Sequence, residues 1–116
     1  MKFADIQEEL EFNEKKPLIK VLFETAFTKE IRIAMKKGTV MKEHKTSYPI
    51  VVQIVKGNID FGVQNEVFDL NEGKILALDG GVPHDLKAKE DSVIRLTLTK
   101  NDDANRVVNV SNITIA

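Results

Sequence analysis

A chain of 116 residues is about one domain, long enough to bury a core without disulfides or metals as staples. With 42% hydrophobic and 30% charged residues it lies outside the disordered range, and 17 basic against 18 acidic side chains give a net charge of -1 with no basic stripe, which argues against nucleic acid as a partner. Cysteine is absent, so disulfides, thiolate metal sites and thiol nucleophiles are excluded together, and any metal must be held by His, carboxylate and water.

The expected organisation is a single domain, 1–116, with an N-terminal segment 1–17, a core of about 30–99 and a C-terminal tail 105–116. The opening MKFADIQEEL turns acidic after four residues, and apolar runs such as IVVQIV break within a few positions. Neither a signal peptide nor a membrane span is expected, which points to the cytoplasm. Asp5 can cap a short helical turn with Glu8 three positions on, and Ile6 and Leu10 share a face over 5–11.

From Leu18 the period changes to two. Ile19, Val21 and Phe23 alternate with Lys20, Leu22 and Glu24, and Ile31, Ile33 and Met35 alternate with Arg32, Ala34 and Lys36, as half-buried strands do. Ile50, Val52 and Ile54 then face one way, and Ile59, Phe61 and Val63 repeat the pattern after Lys56-Gly57-Asn58, which reads as a hairpin. Further strands are expected over 66–70, 74–78, 84–88 and 92–99, separated by Gly, Asn or Asp turns, and the tail is β-prone through Val107, Val108, Val110, Ile113 and Ile115. Many short strands at roughly ten-residue spacing indicate an all-β sandwich or barrel.

The glycines narrow that choice. Gly38 is followed by five residues and His44, with Gly57 thirteen residues later; Gly73 is followed by five residues, then Asp79-Gly80-Gly81, two residues and His84. This resembles the two motifs of the cupin family: Gly, five residues, His-x-His, three or four residues, Glu, six residues, Gly; then Gly, five residues, Pro-x-Gly, two residues, His, three residues, Asn. The resemblance covers roughly 30–99 and implies a double-stranded β-helix, or jelly-roll barrel. The chain departs from it at Thr46 in place of the second histidine, Ile50 in place of glutamate, Asp79 in place of proline and Ala88 in place of asparagine.

In metal-binding cupins the motif histidines and the glutamate converge on one divalent ion, usually iron, manganese, nickel or zinc. Of that set the resemblance carries over only His44 and His84, as metal ligands or as polar anchors for an organic ligand. Period two puts His44 and Thr46 on one face, and Ile50 in the family's register also points inward, where it cannot coordinate. Two imidazoles fall short of the three or four protein ligands that hold a metal firmly, unless water, substrate, Thr46 or Asp85 completes the set.

Lys42, two residues before His44, shares its face on an extended strand and is a candidate for the pocket mouth. Tyr48 precedes Pro49, where the backbone is extended, and either gates the pocket or packs the loop. Arg95 and Thr97 oppose Ile94, Leu96 and Leu98, and alternation alone leaves open which set lines the pocket. The run Ile75-Leu76-Ala77-Leu78 is apolar on both faces, which fits one face to the barrel and one to a partner, hence a homodimer. Two functions follow: a small-molecule-binding cupin, non-catalytic or sensory, with ligand-pocket residues Lys42, His44, Thr46, Ile50 and His84; or a metal-dependent cupin enzyme of isomerase, lyase or dioxygenase type.

Overall fold

The structure, a computed structural model, describes residues 1–100. The β-prone tail 105–116 lies outside the described residues. Nine strands run in the order β1 (Leu18–Glu24), β2 (Thr28–Met35), β3 (Val40–His44), β4 (Ile50–Lys56), β5 (Asn58–Val63), β6 (Glu66–Asn71), β7 (Ile75–Leu78), β8 (His84–Ala88) and β9 (Ser92–Thr99). They form two antiparallel sheets, ordered β1-β2-β9-β4-β7 and β3-β8-β5-β6. The chain passes repeatedly from one sheet to the other, which is the double-stranded β-helix that the resemblance implies.

Alternation builds the core directly. Ile31, Ile33 and Met35 of β2, Ile50, Val52 and Ile54 of β4 and Ile94 of β9 face Ile59 and Phe61 of β5 and Leu86 and Ala88 of β8. Each larger side chain removed from water here contributes about 1.5–3 kcal/mol. On β9 the inward set is Ile94, Leu96 and Leu98, so Arg95 and Thr97 belong to the outer face of the larger sheet. Strand β1 is less buried than its alternation suggests, with Ile19 and Val21 exposed on this edge strand.

The expected hairpin over 50–63 does not form. Strand β4 pairs with β7 and β9, whereas β5 pairs with β6 and β8, so Lys56-Gly57-Asn58 carries the chain across to the opposite sheet. Gly57 has φ +95, and a Cβ there would run into the Ser92 hydroxyl and lie 2.5 Å from the Asp91 carbonyl oxygen. Only glycine allows that corner to close against β9. The hairpin instead joins β5 and β6, where Gln64 and Asn65, both at positive φ, make the two-residue loop between paired Val63 and Glu66.

The N-terminal segment forms turns, with no helix among the described residues. Asp5 accepts from the Gln7 amide through its side chain at 2.9 Å and from the Glu8 amide through its carbonyl at 3.1 Å, but Glu9 at φ 52 stops propagation. Ile6 and Leu10 do share a face, set against Val55 and Val93 on the outside of the larger sheet. Arg32 pins the segment there. It is 5% exposed and donates to the carbonyls of Ile6 at 2.9 Å and Glu8 at 2.8 Å. Arg32 lies directly opposite Arg95 in the β2–β9 ladder, an arrangement that is destabilising when unrelieved. The relief is chemical: Arg32 turns to the strap carbonyls, while Arg95 donates to Gln53 and Glu30, each at 3.1 Å.

Candidate functional site

The site is built by β3 and β8 at one end of the smaller sheet. Met41 pairs with Leu86 and His44 with His84, so the β3 step from 41 to 44 opposes only the step from 86 to 84, a β-bulge. The extra residue changes which side chains point inward. Met41 and His44 both line the interior cavity; Lys42 and Glu43 are exposed, and Lys42 is not part of that lining. Strict alternation had paired Lys42 with His44, and the bulge substitutes Met41.

The floor of the cavity is aliphatic, formed by Ile33, Ile50, Val52, Ile94 and Leu96, with His44, His84 and Met41 above it. Ile50 is 2% exposed and faces inward, in the register expected for it. The enclosed volume is about 20 Å³, room for about one water molecule.

His84 is 3% exposed and stacks on Phe61, with ring centroids 5.7 Å apart and planes 14° apart. Its Nδ1 lies 2.9 Å from the Val82 carbonyl oxygen, and the Nδ1 of His44 lies 2.8 Å from that of Lys42. A carbonyl only accepts, so in both rings Nδ1 carries the donated proton. In the neutral imidazoles each Nε2 therefore keeps its lone pair, as a hydrogen-bond acceptor or metal ligand. The two ring centroids are 4.4 Å apart and the planes tilted by 59°. Burial pushes the His84 imidazole below its ordinary pKa; the Val82 carbonyl and the Asp85 carboxylate oppose this, and His44 reinforces it.

The paired glycines explain how β8 is delivered to this position. Gly81, at φ +81, donates its amide to the Thr46 carbonyl at 2.7 Å, and a Cβ on Gly80 would lie 2.5 Å from the Ser47 carbonyl oxygen. The turn before His84 thus rests backbone to backbone on the loop after His44, locking the two histidines together. Thr46 takes part through that carbonyl. Its hydroxyl donates to the Tyr48 carbonyl at 3.0 Å, and it is absent from the cavity lining. Asp85 is exposed and outside the lining, while its neighbours His84 and Leu86 line it.

Among the described residues no group of three or more His, Cys, Asp or Glu side chains could hold a metal ion. Two imidazoles above an aliphatic floor, with Ile50 where the family has glutamate, do not fit the four-ligand divalent centre that the resemblance implies. The residue that sequence reasoning missed is Met41. Among the described residues its sulfur is the only other side-chain donor atom in the lining, and no signal in the sequence marks the bulge that turns it inward.

No helix among the described residues is long and apolar enough to cross a membrane. No family model and no curated protein matches the chain at the level of sequence. Among solved structures, an RmlC-like cupin from Desulfovibrio desulfuricans superposes with a TM-score of 0.78 at 19% identity, over 85% of this chain and 96% of that one. A conserved protein of unknown function from Streptococcus pyogenes gives a TM-score of 0.75 at 22% identity, over 88% and 90% of the two chains. KdgF from a Halomonas species gives 0.65 at 22% identity, over 73% and 79%. At these identities the likeness is one of fold.

Proposed function

We propose that this chain, which has the cupin fold, is a small-ligand-binding protein, non-catalytic or sensory, with His44 and His84 as its polar anchors. One observation carries this reading: two neighbouring imidazoles, 4.4 Å apart, each with Nδ1 held by a backbone carbonyl and Nε2 left as an acceptor above an aliphatic floor. Such a pair receives a hydroxyl, an ammonium or an acidic proton. The enclosed 20 Å³ excludes an organic body, so the ligand's polar end meets the pair while the remainder lies outside or displaces the flexible Met41.

A small-molecule library screened by ligand-observed NMR tests this reading. Binders to the wild type are expected to be lost in both His44→Ala and His84→Ala; binders indifferent to both substitutions overturn it. The two free Nε2 atoms also favour a second reading, a metal-dependent enzyme with iron, manganese, nickel or zinc completed by water or a chelating substrate. Near-stoichiometric metal in protein purified without added metal, abolished by either substitution, selects the second reading over the first.

The same proposal includes a homodimer through β7. This edge strand turns Leu76 and Leu78 to the core and leaves Ile75 and Ala77 exposed. Sedimentation equilibrium is expected to show a dimer that Ile75→Lys dissociates.

A further inference from the structure

We infer that the outer edge of β1 is the docking site for this chain's own residues 105–111, which add to the larger sheet as a strand antiparallel to β1. The inference stands apart from the histidine pair and goes beyond the ligand-binding reading.

The first support is the edge itself. Among the described residues β1 pairs with β2 alone, so one side of its backbone has no ladder partner. Ile19 and Val21 pair with Ile33 and Ile31 of the core and lie on the inner side of the sheet, yet they are 59% and 46% exposed. That exposure shows where the smaller sheet, with four strands against five, stops covering the larger one. An unpaired edge with an apolar inner side is a template for a further strand, and native sheets pair, cover or charge such edges.

The second support is the place where the chain leaves β9. Lys100 donates its amide to the Phe27 carbonyl at 2.9 Å, and its ammonium group to the Thr25 carbonyl and the Glu24 carboxylate, each at 2.8 Å. The tail therefore starts at the β1–β2 turn, level with the end of β1. Strands β1 and β9 are both antiparallel to β2, so a segment that turns back at this point runs antiparallel to β1. The path from β9 across β2 and β1 to a position beyond them is three strand spacings, about 14 Å. The stretch from Lys100 to Asn105 reaches about 17 Å when extended. The resulting order, added strand, β1, β2, β9, is that of a Greek key, in which the fourth strand returns to lie beside the first.

The third support is the residue pattern. Asn101-Asp102-Asp103-Ala104-Asn105 is rich in turn-forming residues, and Arg106-Val107-Val108-Asn109-Val110 in β-branched ones. A register that places Asn105 level with Glu24 places Val108 opposite Val21 and Val110 opposite Ile19, so two valines meet the two side chains that the smaller sheet leaves bare. The tether also selects the chain's own segment over that of a second copy, because a linker this short holds it at an effective concentration on the order of millimolar.

The test uses the full chain, which has no cysteine of its own. The paired variant Val21→Cys with Val108→Cys is expected to close a disulfide within one chain on mild oxidation, seen as a faster-running monomer on a non-reducing gel. It should do so about tenfold or more faster than Val67→Cys with Val108→Cys, whose first position is equally exposed but lies on β6 at the edge of the other sheet. Hydrogen exchange gives a second readout without thiols. In the double variant Val108→Asp with Val110→Asp, the outward amides of Leu18–Glu24 should exchange about tenfold or more faster than in the wild type, while those of β4 and β9 keep their protection and report an intact barrel. A disulfide that joins two chains, equal oxidation rates in the two cysteine pairs, or β1 exchange indifferent to the aspartates each overturns the inference.

Discussion

The barrel mouth and the outer face of the larger sheet both place polar side chains on an apolar scaffold, and they treat them in opposite ways. On the outer face, the Arg32 terminal nitrogens are occupied by strap carbonyls, although its buried Nε has no partner among the described residues, and Arg95, Glu30, Thr97 and Gln53 bond one another. At the mouth, each histidine has one nitrogen fixed by a backbone carbonyl and the other without a hydrogen-bond partner among the described residues. Polar groups that bond one another hold a structure together; groups that are oriented but incompletely bonded await something from outside. Pocket size does not separate the two regions: the groove lined by Ala4, Ile6, Phe23 and Arg95 on the outer face is larger, about 390 Å³, and there Arg95 bonds Gln53 and Glu30 instead of presenting its guanidinium to solvent alone.

The largest expected effect lies on the outer face. Arg32→Leu removes a buried cation that bonds the N-terminal turn, and hydrogen bonds to charged groups contribute enough to expect a loss of about 3 kcal/mol in urea unfolding. Limited proteolysis should then cut within 1–17, while ligand binding at the mouth stays unchanged; altered binding would break the separation of the two regions.

Next comes Gly80→Ala. Its methyl group meets the Ser47 carbonyl, a backbone atom that moves only with its loop, and overpacking of this kind costs about 1–3 kcal/mol. Here the stability loss should be accompanied by weaker binding, because the same contact seats His84.

A smaller effect follows from the His84 imidazole, which burial holds below its ordinary pKa. As pH falls below about 6.5, the unfolded chain takes up a proton that the folded chain resists, so the unfolded state binds more protons and stability declines as pH decreases. Thermal midpoints measured between about pH 7 and pH 5 should fall, and His84→Leu should flatten the slope. A slope unchanged by that substitution would place the titration elsewhere.

The smallest stability effect belongs to His44→Ala. The side chain is exposed, and substitutions at such positions usually change stability by less than about 0.5 kcal/mol. Binding lost with stability intact is the sharpest form of the contrast between the two regions.

Much of this molecule was legible in its sequence because alternation is a local property. The strands at 18–24, 50–56, 84–88 and 92–99 follow from residues that touch the same face of one strand, and the winding of the sheets was implied by the resemblance to the cupin motifs. Partnership between strands is not local, which is why Ile50–Val63 read as a hairpin although Gly57 sends its two halves to different sheets. The bulge at β3 had the same character. Nothing in Met41-Lys42-Glu43-His44 announces that three steps on one strand will oppose two on the next, so Lys42 was assigned the place that Met41 occupies. The surface that the paired glycines fit, the backbone around Ser47, is distant in sequence and visible only in the fold.

Strand β9 carries a consequence for truncation. It lies between β2 and β4 in the larger sheet, so the last of the described strands to be synthesised occupies the middle of that sheet. Without Ser92–Thr99, the native pairings of the larger sheet reduce to β1 with β2 and β4 with β7, two ribbons with no shared ladder. Such unpaired edges invite pairing with other chains. A chain cut before Ser92 is therefore expected to aggregate more readily than the full chain, because only β9 pairs with both β2 and β4.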